Sequence, residues 1–167
     1  MLTAPAGLSA EQEDLVTEID ALVERHGQDR DALIPILQDL QAAHGQIEDL
    51  AMQVIANRLR MSATDVYGVV TFYSFLGTRP TGRHVIRMCR NLSCQFAGRQ
   101  AVAEQLEREL GVPFGETTED GLVTLQWVNC IGQCDRAPAM LIDDQAYGSV
   151  TPGQIGGILA DLGAIDR

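Results

Sequence analysis

Four cysteines, arranged as two close pairs, constrain this chain more than any other feature of its sequence. Four residues separate Cys89 from Cys94, three separate Cys130 from Cys134, and 35 residues lie between the two pairs. The chain contains no other cysteine. Four soft thiolates suit a tetrahedral zinc ion, and they also suit a [2Fe–2S] cluster, in which two thiolates bind each iron. The spacing by itself leaves both kinds of site open.

Length and composition are those of an ordinary globular protein. The chain has 167 residues, of which 46% are hydrophobic and 21% are charged. No apolar run approaches the roughly 20 residues that a membrane-spanning helix needs, and residues 1–7 show no signal peptide. We therefore expect a cytoplasmic protein. In that reducing compartment the cysteines are expected to bind metal rather than to form disulfides.

The net charge of −11 is unevenly distributed along the chain. Residues 79–99, the basic segment, contain five arginines and no acidic residue, whereas the sequence on either side is acidic. The acidic total disfavours nucleic-acid binding. Positive charge near an iron–sulfur cluster favours its reduced state, so Arg87 and Arg90, which flank Cys89, are candidates for tuning a redox potential. A solvated surface strip and a partner-docking site are the alternatives.

The first half of the chain is predicted to be helical. Apolar residues recur at helical spacing throughout residues 9–75 and define four segments. Ser9 and Ser62 each stand in a capping-box pattern at the start of a segment, and Gly27 and Gly45 mark two C-terminal ends. These signals together predict a bundle of about four helices.

The second half changes to short strands alternating with helices. The predicted elements, in chain order, are a strand over 84–88, a helix over 96–110, a strand over 122–128, a hairpin of 139–142 with 146–149, and a helix from Pro152. This β-α-β-β-β-α order is typical of a small thioredoxin-like sheet. We therefore predict an α/β fold with an N-terminal helical domain, residues 1–78, followed by a thioredoxin-like domain, residues 79–167.

The predicted topology brings the cysteine pairs together. Cys89 follows the first strand and Cys130 follows the second, and the strands of a β-α-β unit run parallel. Both pairs should therefore lie in loops at one edge of the sheet. Cys94 is expected at the N-terminus of the helix over 96–110, where free N–H groups stabilise a negative sulfur.

At these residues the chain resembles the thioredoxin-like [2Fe–2S] subunit of NADH dehydrogenase modules. That family includes the peripheral [2Fe–2S] subunit of respiratory complex I and the small diaphorase subunits of soluble NAD(P)-linked hydrogenases and formate dehydrogenases. The stretches that carry the resemblance are residues 33–41, 66–73, 80–94 and 130–138. Together they extend over nearly the whole chain.

The resemblance implies an electron-transfer subunit without catalytic residues of its own. One [2Fe–2S] cluster would be bound by Cys89, Cys94, Cys130 and Cys134. FMN and NADH would bind to a partner subunit, on which residues 9–75 are expected to pack, and further electron-transfer subunits would complete the complex. The chain itself contains no glycine-rich nucleotide-binding motif. A zinc-stabilised protein-interaction module without a redox role is the alternative function.

Overall fold

The computed structural model describes residues 9–165 and shows two compact units that meet in the sequence at Pro80 and Thr81. Residues 1–7, for which no signal peptide is predicted, lie outside the described residues. Each unit has an apolar core of its own. Between residues 9 and 165, no helix combines the length and the apolar character needed to cross a membrane.

The first unit, here called the helical unit, is a bundle of four α-helices with one short 3-10 turn among its described residues. The elements are α1 (Ala10–His26), the 3-10 turn (Arg30–Ala32), α2 (Leu33–His44), α3 (Asp49–Arg58) and α4 (Ala63–Phe72). The Ser9 and Ser62 hydroxyls accept the N–H groups of Gln12 and Asp65 at 3.3 and 3.0 Å. Gln12 also accepts the Ser9 N–H at 3.0 Å and completes the predicted capping box, whereas Ser62 acts as an N-cap residue. The presence of α1 to α4 confirms the predicted bundle of four helices.

The helical unit is stabilised mainly by aliphatic burial. Its least accessible large side chains are those of Ile19, Ile36, Leu37, Leu40, Ile47 and Ile55. Burial of apolar surface contributes about 25 cal/mol per Å² and is the largest contribution to the stability of such a core. Arg58 joins α3 to α1 through a two-point ion pair with Asp20, at 2.5 and 3.0 Å. Both partners are substantially exposed, so the pair contributes on the order of 1 kcal/mol or less.

The second unit, here called the sheet unit, contains a four-stranded sheet. Its elements are β1 (His84–Cys89), α5 (Leu92–Phe96), α6 (Arg99–Leu110), β2 (Val123–Val128), a 3-10 turn (Cys134–Arg136), β3 (Met140–Ile142), β4 (Gln145–Tyr147) and α7 (Pro152–Asp161). The strand order is β2-β1-β3-β4, with β1 parallel to β2 and antiparallel to β3. Residues of α6 and α7 pack with Ile86 and Met88 of β1 in one core.

Two local predictions for the sheet unit are wrong. The helix expected over 96–110 begins only at Arg99, as α6, and Phe96 ends the separate helix α5, because Gly98 between them has a φ of 88° that an α-helix does not accommodate. The expected three-residue hairpin turn is shorter, since β4 already begins at Gln145 and Asp143 makes the turn with a φ of 53°. Gly148 and Ser149 consequently lie beyond the strand.

Candidate functional site

The two cysteine loops leave the sheet side by side. The parallel register pairs Cys89, the last residue of β1, with Val128, the last residue of β2. Beyond the strands, the Arg90 N–H donates to the Val128 carbonyl at 2.9 Å, and Arg90 Nε donates to Asn129 Oδ1 at 3.2 Å. Both loops therefore begin at the same edge of the sheet, as the predicted parallel arrangement requires.

Cys89 and Cys94 form a buried pair at this edge. They are 1% and 2% exposed and pack with Ala139, whose carbonyl accepts the Cys89 N–H at 3.2 Å. The expectation that Cys94 lies at the N-terminus of the helix over 96–110 is wrong, because that helix begins only after Gly98, at Arg99. Cys94 lies instead in the middle of α5, a separate helix of five residues.

Cys130 and Cys134 form an exposed pair in the second loop. Cys130 follows β2, and Cys134 is the first residue of the 3-10 turn. Their Sγ atoms are 3.4 Å apart. Two sulfurs bound at about 2.3 Å to one tetrahedral metal lie about 3.8 Å from each other. The pair is therefore close to the arrangement that ligation of a single metal atom requires.

The thiols influence one another's ionisation. The pKa of the Cys94 thiol is raised above its ordinary value, chiefly by burial and also by Cys89. A hydrogen bond from the Ala139 backbone partly opposes this rise. The Gly132 N–H donates to Cys130 and lowers its pKa, whereas the hydrogen bond with Cys130 raises the pKa of Cys134. Cys89 contributes to the shifts of the other three cysteines.

This set of donors fits a [2Fe–2S] cluster. A [2Fe–2S] cluster needs only two thiolates at each of its irons, which the Cys130–Cys134 separation satisfies.

Arg87 and Arg90 have different surroundings although both flank Cys89. Arg87 is half-buried, and burial lowers its pKa while Asp143 and Asp144, in the turn between β3 and β4, raise it. Arg90 is exposed and contacts the second cysteine loop through its hydrogen bond. Two carboxylates partly balance the charge of Arg87, whereas Arg90 lies at the cysteine edge of the sheet.

Sequence reasoning missed a group of side chains that joins the elements around the site. The Arg99 guanidinium lies 4.8 Å from the centre of the Trp127 ring and also hydrogen-bonds to Gln95 of α5. Trp127 in turn stacks on Phe114, with ring centroids 4.0 Å apart. The four-residue spacing of Gln95 and Arg99 is a local signal for one contact. The contacts of Trp127 are long-range and leave no such signal.

Comparison with known proteins gives a match over most of the chain. Residues 19–163 match the thioredoxin-like [2Fe-2S] ferredoxin family. An NADH-quinone oxidoreductase subunit of Pseudomonas aeruginosa is 41% identical over 130 residues, which cover 78% of each chain. The corresponding NADH-quinone oxidoreductase subunit of Rhizobium meliloti is 35% identical over 150 residues, or 90% of this chain and 89% of that protein.

A larger protein is also similar to this chain. The NAD-reducing hydrogenase HoxS subunit alpha of Cupriavidus necator is 38% identical over 146 residues, which are 87% of this chain but only 24% of that subunit. The crystal structure of an NAD+-reducing [NiFe]-hydrogenase has the same fold over 78% of this chain and 23% of its own, with a TM-score of 0.64 at 21% identity. The chain therefore belongs to the thioredoxin-like [2Fe-2S] ferredoxin family, which confirms both the predicted fold class and the predicted [2Fe–2S] cofactor.

Proposed function

We propose that this chain is the electron-transfer subunit of an NADH-linked, flavin-containing oxidoreductase complex. The observation that carries the proposal is that both cysteine loops begin at one edge of the sheet, in a chain that matches the family over residues 19–163. The similar proteins are subunits of NADH-quinone oxidoreductases and of an NAD-reducing hydrogenase, which supports an oxidoreductase subunit in a complex. The subunit would itself carry no catalytic residue.

The proposed ligands are Cys89, Cys94, Cys130 and Cys134. The cluster, when bound, supplies a site that accepts and releases one electron at a time. The chain's own residues set its surroundings: the buried pair excludes water from one side, and the exposed pair leaves the other side open. Arg90 adds a positive charge at the same edge. The second loop is thus the side at which we expect electrons to be exchanged with a partner.

The helical unit offers a surface for that partner. Exposed aromatic side chains are concentrated in residues 67–75, where Tyr67, Phe72, Tyr73 and Phe75 are 52%, 77%, 43% and 47% exposed. Exposed aromatic groups are typical of protein interfaces. The proposed partner is the subunit that binds FMN and NADH, with further electron-transfer subunits beyond it. We place the assembly in the cytoplasm or on the cytoplasmic face of a membrane complex.

The proposal includes the domain division at residues 1–78 and 79–167. The boundary between the two compact units, at Pro80 and Thr81, supports this division to within two residues. Separate apolar cores in the two units support it as well.

Metal and sulfide analysis tests the ligand assignment. The chain purified anaerobically should contain two irons and two acid-labile sulfides, with an EPR signal that appears only after reduction. Serine at any of the four cysteines should reduce or abolish cluster content, because a hydroxyl is a poorer ligand for iron. Gln133→Ser, in the same loop as Cys134, is the matched control and should retain the cluster. One equivalent of zinc without sulfide would contradict the cluster assignment and favour the zinc-stabilised alternative.

Activity of the isolated subunit tests the electron-transfer role. A one-electron carrier cannot accept hydride, so the chain alone should not oxidise NADH with ferricyanide as the acceptor. Activity should appear when the flavin-binding partner copurifies with it. Turnover of NADH by a homogeneous, flavin-free preparation of this chain would contradict the proposal.

A further inference from the structure

The second cysteine loop is hydrogen-bonded to the segment that follows β4. The Ser149 N–H donates to the Arg136 carbonyl at 2.5 Å, and the Val150 N–H donates to the Pro138 carbonyl at 3.0 Å. Arg136 is the last residue of the 3-10 turn that begins at Cys134. The position of Cys134 therefore depends on how closely the segment after β4 approaches this turn.

Gly148 lies at the point of closest approach. A Cβ atom added to it would lie 2.7 Å from Arg136 Cβ, 3.0 Å from Arg136 Nε and 3.1 Å from the Arg136 carbonyl oxygen. Carbon atoms in favourable contact lie about 3.5–4.0 Å apart. Rotation of the Arg136 side chain moves its Nε but cannot move its Cβ. A side chain at residue 148 would therefore displace the turn that carries Cys134.

The requirement for glycine here is steric rather than conformational. Gly148 is not among the glycines with a positive φ, so its backbone conformation is open to other residues. Ser149, the next residue, has a φ of 52° and turns the chain so that its N–H reaches the Arg136 carbonyl. Contact with the second cysteine loop is thus the feature that excludes a side chain at residue 148.

We infer that Gly148 is a positioning residue for the [2Fe–2S] cluster, because its missing side chain lets the second cysteine loop lie where Cys130 and Cys134 can bind one iron. The inference rests on the proposed ligation by these cysteines. Nothing near Gly148 in the sequence indicates this role, since the contacted residue lies twelve positions earlier and belongs to a different loop.

The test compares alanine at two glycines of the full chain. Gly148→Ala should shift the turn, whereas Gly156→Ala, in α7, adds a Cβ with no atom within 4 Å and is the matched control. We expect the Gly148→Ala protein to lose its cluster to an iron chelator about tenfold faster than wild type, and the control to lose it at the wild-type rate. The g values of the reduced cluster should also change in Gly148→Ala only. Cluster loss from Gly148→Ala at the wild-type rate, or unchanged g values, would overturn the inference.

A second pair of variants tests the clash by changing Arg136 instead of residue 148. This pair distinguishes the clash from general misfolding of the Gly148→Ala protein. Arg136→Gly eliminates the Cβ and Nε contacts, so the double variant Gly148→Ala/Arg136→Gly should recover most of the cluster retention. Gly148→Ala/Arg136→Ala keeps the 2.7 Å contact and should recover little. Equal behaviour of the two double variants would overturn the inference. Wild-type protein without iron and sulfide would refute the proposed function instead, so the two failures are distinguishable.

Discussion

The two units of this protein are stabilised in different ways. In the helical unit, one apolar core includes side chains from all four α-helices, and its large members such as Ile36 and Leu37 are fully buried. In the sheet unit, a comparable core lies between the sheet and α6 and α7, but the cysteine edge has a separate, small apolar group centred on Cys89, Cys94 and Ala139. The helical unit needs no cofactor to complete its packing. The cysteine edge of the sheet unit has little apolar packing of its own, so its order should depend on the cluster.

Cluster removal should produce the largest difference between the units. Without metal, the hydrogen bonds from Ser149 and Val150 to the second cysteine loop should open more readily, with a change in opening free energy on the order of several kcal/mol. Hydrogen exchange of the cluster-bound and cluster-free chain measures this change. The Gly45 N–H, which donates to the Gln41 carbonyl at 2.9 Å in the helical unit, is the internal control. Its exchange rate should be the same with and without the cluster. Equal loss of protection in both units would contradict the comparison.

A cavity in the helical core should have the next largest effect. Leu37→Ala removes a fully buried side chain and should lower the free energy of unfolding of the helical unit by about 2–5 kcal/mol. The iron content and the EPR spectrum should stay at wild-type values, because none of the four proposed ligands belongs to that unit. Urea unfolding and metal analysis on the same preparation check both expectations. Leu159→Ala, equally buried in α7, is the counterpart in the sheet unit and should reduce cluster retention together with stability.

The sequence predicted the parts of the site that depend on local signals. The cysteine pairs, the strands that precede them and the capping serines are all short-range patterns, and β1 and β2 run parallel as the predicted β-α-β unit requires. The division of α5 from α6 was missed because Phe96 continues the helical spacing, although it is 86% exposed. A single glycine, Gly98, overrides that spacing through its left-handed conformation.

The remaining features depend on the register between strands and loops. Arg87 lies near Asp143 because β1 and β3 pair antiparallel, with Arg87 opposite Leu141. The approach of Gly148 to Arg136 likewise depends on where the chain returns after β4. Such pairings are properties of the assembled sheet, and spacing along the chain carries no information about them.

A capping change should have a smaller effect than the core substitution and stay within the helical unit. Ser62→Ala removes the hydroxyl that accepts the Asp65 N–H at 3.0 Å and should cost about 1 kcal/mol of unfolding free energy. Ser62→Gly is the matched variant and should cost only a few tenths of a kcal/mol, since glycine is tolerated at N-caps. Urea denaturation followed by far-UV circular dichroism measures both. An unchanged free energy of unfolding in Ser62→Ala would indicate that the cap hydrogen bond contributes nothing.

The smallest expected effect concerns charge at the cysteine edge. Arg90→Gln removes a positive charge beside the second loop and should lower the midpoint potential of the cluster by about 20 mV, the equivalent of about 0.5 kcal/mol for one electron in a largely solvated setting. Arg87→Gln should shift the potential less, because Asp143 and Asp144 already balance much of its charge. Arg83→Gln is the control, since Arg83 precedes the far end of β1, about 20 Å along the strand from Cys89. EPR-monitored redox titration orders the three variants. A larger shift for Arg87→Gln than for Arg90→Gln would show that burial outweighs the two carboxylates in setting the field at the cysteine edge.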